Sequence, residues 1–82
     1  MTNNQILILM VENATADNGD KTLDNALRLS DYVKNHPHDF AADYARNFIS
    51  AYINKDYVDM MTEISNFAKY LANEREIVEE FN

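Results

Sequence analysis

The apolar positions of the chain fall into four stretches, parted by short polar segments that carry its one glycine and its one proline. In the first stretch Ile6, Leu7, Leu9, Met10, Val11 and Ala14 cover a broad arc when placed at about 100° per residue, and Ile8 falls outside it. Thr2 and Gln5 stand at capping-box spacing before the run, and Gly19 follows as a left-handed stop, so a helix is expected over about 3–17. Ile and Val also suit a buried strand, but no second alternating segment exists to pair with it.

Asp20 or Thr22 caps a second helix over about 22–35, with Leu23, Ala26, Leu27, Ser30 and Val33 as its inner stripe and Asp24, Arg28, Asp31 and Asn35 opposite. Pro37 ends it, and His36 before the proline is pushed toward extended backbone. Asp39 opens a third helix over about 39–53. Its polar strip is Asp39, Asp43, Arg46, Asn47 and Ser50, and its wide apolar side is Phe40, Tyr44, Phe48, Ile49 and Tyr52. Asn54-Lys55-Asp56 is a turn with Asp56 as the next N-cap. The fourth helix, over about 57–73, carries the most regular period: Tyr57, Met60, Met61, Ile64, Phe67, Ala68 and Leu71.

Beyond Asn73 the pattern changes register. Arg75 and Glu79 take the places where the core stripe would continue, while Ile77 and Phe81 align beneath Tyr70, so an extension to about 80 would leave the core. The second and fourth stretches echo each other at an offset of 35, close to a tetratricopeptide period, but the Trp, Gly and Pro positions of that repeat are absent. Two helices of similar amphipathic design account for the echo. Short connections make successive helices antiparallel, so the expected fold is all-α, a compact single domain of about four antiparallel helices spanning 1–82.

Composition narrows the function classes. A length of 82 residues with 46% hydrophobic side chains supports one core without disulfides or metals. The absence of cysteine excludes thiolate metal sites and cysteine nucleophiles. The run Ile6–Val11 is too short for a membrane span and lacks the flanks of a signal peptide, so a cytoplasmic location is expected. Fourteen acidic residues against seven basic ones leave a net charge of −7, which disfavours direct contact with nucleic acid or anionic lipid and favours a protein partner with a basic surface.

Candidate chemistry is sparse. His36, His38, Asp39 and Asp43 offer two imidazoles and two carboxylates for a metal, but a polar turn with a helix cap explains them better, and no metal or cofactor is expected. Ser30, Ser50 and Ser65 lie within helices with no histidine at neighbouring spacing, and one glycine cannot form a phosphate loop, so no catalytic residue is named and an enzyme is not expected. Met60, Met61 and Phe67 can form an adaptable groove but fit the core stripe better.

The carboxylates carry the remaining signal. Asp24 and Asp31 are two turns apart on one helix face, Asp39 and Asp43 one turn apart on the next, and Asp59 and Glu63 one turn apart on the fourth; Lys34, Arg46 and Lys69 can offset a few. A solvated acidic surface explains such rows. So does a non-catalytic protein that binds stoichiometrically, its carboxylates standing in for phosphates in the basic nucleic-acid-binding groove of a partner, as small phage or mobile-element inhibitors do. The alternatives are an antitoxin or immunity protein, and a homo-oligomeric assembly module, a homodimer in the simplest case, that associates through Ile8, Tyr70, Ile77 and Phe81.

Overall fold

The computed structural model describes residues 1–15 and 19–81, with side chains through 73. Four helices follow one another: α1 (Asn3–Thr15), α2 (Gly19–Asn35), α3 (Phe40–Ile53) and α4 (Tyr57–Phe81), with no strand among the described residues. The capping box forms in both directions. Gln5 N–H donates to Thr2 Oγ1 at 3.2 Å, and Thr2 N–H donates to Gln5 Oε1 at 2.8 Å.

Side-chain contacts fix the helix directions. Asn13 near the end of α1 donates from Nδ2 to the Thr22 carbonyl near the start of α2 at 3.0 Å, while Met1 lines a cavity of about 280 Å³ with Tyr32 and His36 at the far end of α2. Tyr52 at the end of α3 donates its hydroxyl to Thr22 Oγ1 at 3.1 Å. Tyr44 near the start of α3 stacks on Phe67 of α4, ring centroids 5.1 Å apart. Each helix therefore runs antiparallel to the one before it. Helices α1 and α3 touch across the bundle, whereas α2 and α4 do not touch among the described residues.

The core is built from Ile6 and Met10 of α1, Leu29 and Tyr32 of α2, Phe48 of α3, and Met60, Ile64 and Phe67 of α4. Full burial of a large apolar side chain stabilises by about 1.5–3 kcal/mol, and Phe48 and Phe67 are both at 0% exposure. Ala41, Ala42, Ala45 and Ala51 complete the inner side of α3, where short side chains let neighbouring helices come close to its backbone.

Several expectations are corrected. Gly19 does not stop α1 in a left-handed conformation; it opens α2, and no described glycine has positive φ. Thr22 is not a cap but lies inside α2, buried, with its hydroxyl donating to the Gly19 carbonyl at 3.1 Å, while Asp20 sits in the first turn. The inner stripe of α2 is rotated from the expected one. Leu23 and Leu27 are more than half exposed and Ser30 is exposed, while Thr22, Asn25, Ala26, Leu29 and Tyr32 face inward.

Asp39 holds the N-cap position of α3 with extended backbone, but makes no side-chain cap bond. Its carboxylate instead accepts from the Tyr32 hydroxyl at 2.9 Å. Phe40, expected inside, is 66% exposed. In α4 the stripe is again rotated: Tyr57, Met61 and Ala68 are exposed, and Met60, Ile64 and Phe67 hold the core. The helix continues to Phe81, past the expected end at 73; the side chains of Ile77 and Phe81 lie outside the described ones.

The α3–α4 turn closes as a Schellman motif. Asp56 N–H donates to the Ala51 carbonyl at 2.9 Å and Lys55 N–H to the Tyr52 carbonyl at 3.1 Å, with Lys55 in the left-handed region at φ 56°. Asp56 then caps α4 as expected, its Oδ1 accepting from the Asp59 N–H at 3.1 Å.

Candidate functional site

The six carboxylates named from sequence do not share one surface. Asp24 and Asp31 lie on α2 opposite its buried stripe, and α2 makes no contact with α4, so they face away from Asp59 and Glu63. Asp24 pairs with Arg28, Nε to Oδ2 at 3.2 Å, one turn along. Asp39 is engaged within the chain, by the Tyr32 hydroxyl and by His36 Nδ1 at 3.7 Å, and the Tyr32 ring stacks on His36 with centroids 4.7 Å apart. Burial pushes the Tyr32 hydroxyl pKa up, and the neighbouring Asp39 carboxylate pushes it further.

The α3–α4 side gathers the remaining acids. Asp43 pairs with Arg46, Nη1 to Oδ1 at 3.0 Å. Glu63, half-buried beside α3, is joined by a side-chain hydrogen bond to Asn47, which continues the polar strip of α3 onto α4. Burial raises the Glu63 carboxyl above the usual glutamate range, the Asn47 bond opposes this, and Asp59 one turn away adds to the rise. Asp59 is itself raised by the side chain and the charge of Asp56. Asp56, Asp59 and Glu63 have no ion-pair partner among the described residues, and Asp43 has Arg46.

Asp56 was read from sequence only as a cap. Its spacing of three residues from Asp59 is the signal that adds it to the row. Arg46 offsets a carboxylate as expected, whereas Lys34 and Lys69 form no ion pair with a described residue.

Of the four residues proposed for self-association, Ile8 stands outward at 54% exposure. Tyr70 is half-buried and packs on Phe40 and Tyr44, with centroids at 5.4 and 5.9 Å. Ile77 and Phe81 fall outside the described side chains.

No three His, Cys, Asp or Glu side chains among the described residues are arranged to hold a metal ion; His36 and Asp39 are turned toward Tyr32 instead. No helix among the described residues is long and apolar enough to cross a membrane. Comparison with protein-family models, with curated proteins and with solved structures found no match.

Proposed function

We propose that the chain is a non-catalytic interaction protein that acts by stoichiometric binding, in the cytoplasm, of a partner with a basic surface. The contact is the acidic row Asp43, Asp56, Asp59 and Glu63 along α3 and α4. The observation that supports this most is the electrostatic state of the row. Three carboxylates crowd the first turns of one helix without a cation among the described residues, and two of them hold their protons more tightly than usual, Asp59 through the side chain and charge of Asp56 and Glu63 through burial with a further push from Asp59. Like charges one turn apart cost a few tenths of a kcal/mol each in an isolated helix. A basic groove laid on the row would relieve that repulsion.

Carboxylates one turn apart on a rigid helix are about 5–6 Å apart along its axis, near the spacing of successive phosphates on one nucleic-acid strand. A groove shaped for phosphates thus meets a row of matching sign and pitch. Association would be fast and electrostatically steered, as befits an inhibitor that competes with nucleic acid for its target. An antitoxin or immunity protein is the same physical reading with a single cognate partner.

The test uses a short arginine- and lysine-rich peptide as a stand-in for such a groove, with binding followed by calorimetry over a range of salt. Asp43→Asn, Asp59→Asn and Glu63→Gln together are expected to lower affinity by about tenfold or more, and Asp24→Asn with Asp31→Asn to leave it nearly unchanged. Equal losses from the two sets, or an affinity indifferent to salt, would overturn the reading.

A further inference from the structure

The side chains on the outer face of α4 fall into two rows. Tyr57, Met61, Ser65 and Lys69 follow one another at intervals of four residues, as do Val58, Thr62 and Asn66 beside them, and together they line an open trough of about 630 Å³. Rows at this interval are the ridges of a helix surface, and the groove between two of them is the shape that a ridge of a second helix fills. Between Tyr57 and Lys69 the strip runs about 18 Å along the axis, room for roughly three turns of such a helix.

The strip is graded along its length and across its width. At its start Tyr57, Val58 and Met61 are 65%, 75% and 52% exposed, three large apolar side chains on adjoining turns that the bundle leaves more than half open. At its far end stands Lys69, which has no ion-pair partner among the described residues. The next row round the helix at the same interval is Asp59 and Glu63, whose carboxylates also lack an ion-pair partner among the described residues. Open apolar surface and uncompensated negative charge therefore adjoin over the first two turns of α4.

We infer that this face docks a partner helix that is apolar along one ridge and basic along the neighbouring edge, a reading that rests on the acidic row being the contact for a basic partner. Apolar side chains of that helix enter the groove beside Tyr57, Val58 and Met61, where the unbranched, polarisable Met61 side chain adapts to their shape. Lysine or arginine side chains lay their methylene stems across Val58 and Thr62 and bring their charged ends to Asp59 and Glu63. Lys69 repels a basic residue at the far end, so the cations of the partner cluster over residues 57–62. A second copy of this chain docking by the same face would bring another acidic row to a border already crowded with carboxylates. The exposed pair Leu23 and Leu27 on α2 is a weaker match, because Asp24, between them in sequence, is already paired with Arg28.

Two synthetic peptides of about 18 residues and identical composition test this. One has leucines at i, i+3, i+4 and i+7 with lysines along one flank; the other has the same residues shuffled so that no face is apolar. The wild-type chain is expected to bind the first about tenfold or more tightly than the second by calorimetry, with a gain in helical circular dichroism. Val58→Ala with Met61→Ala is expected to remove that preference, leaving affinity for the shuffled peptide and the melting temperature unchanged because both side chains are exposed. Asp59→Asn with Glu63→Gln is expected to weaken both peptides, and Leu23→Ala with Leu27→Ala neither. Equal binding of the two peptides by the wild type overturns the docking, as does a preference that survives the Val58 and Met61 changes or is lost equally with Leu23 and Leu27. If the Asp59 and Glu63 changes still weaken both peptides in those cases, the acidic contact stands without it. A preference lost with Val58 and Met61 but indifferent to Asp59 and Glu63 overturns the basic edge. A wild-type dimer in sedimentation that Met61→Ala dissolves gives the face to a second copy and overturns the inference.

Discussion

The two ends of the bundle are held by opposite chemistry. At the end where α1 passes to α2, Asn13, Thr22, Asn25 and Tyr52 bring polar side chains from three helices together under the core, and Asn13 and Asn25 are nearly as buried as the apolar residues. At the other end Phe40, Tyr44, Phe67 and Tyr70 stack between α3 and α4 with centroids 5.1 to 5.9 Å apart. Aromatic packing is strong and tolerant of small shifts, while the polar contacts are individually weak and intolerant of them. The aromatic end is therefore expected to contribute more to stability than the polar end, and the polar end to select the alignment of α1 on α2.

That contrast can be broken by substitution. Phe67→Ala should have the largest effect, about 3–5 kcal/mol of stability lost by chemical denaturation, because a fully buried ring leaves a cavity. Tyr52→Phe, which removes only the hydroxyl that bonds Thr22, should cost about 1 kcal/mol in the same measurement. Replacing Asn13 and Asn25 together by leucine should change the melting temperature by only a few degrees but broaden the amide spectrum of α1, since apolar side chains would fill the space without choosing the alignment. A sharp spectrum from that variant would show that the polar end does not select the alignment.

The smallest effect lies between the ends, at Glu63. Its folded-state pKa is raised, so the native state holds the proton more tightly than the unfolded chain does. Stability then falls as pH rises from the usual glutamate range through the raised value, and stays lower above it. Glu63→Gln should melt slightly higher than wild type at neutral pH, with the difference vanishing as the solution is acidified below the usual glutamate range.

Helix number, class and most boundaries were legible in the sequence because they rest on local signals: the Thr2–Gln5 box, Pro37, and the Asp56 cap. The rotation of α2 was not. Counting large apolar residues puts Leu23 and Leu27 inside, but α2 turns instead so that Thr22 and Asn25 meet Tyr52 and Glu12, partners that lie 30 and 13 residues away along the chain. A buried Asn is recognisable only once its partner is placed. The same holds for the acidic row: each pair of carboxylates was visible, but that Asp24 and Asp31 face away from Asp59 and Glu63 follows from α2 and α4 not touching.

The alanines of α3 set a limit on how the chain can vary. Ala42 and Ala45 are at 0% exposure, with Ala41 and Ala51 nearly so, along a helix that, like α1, contacts all three others. A larger side chain there would wedge several neighbours apart at once, and glycine would loosen the helix that all of them lean on. The centre of the bundle is thus closed to substitution in both directions, and sequence drift is confined to the outer faces, where the proposed acidic contact lies. Recognition can change in such a protein without any change in its frame.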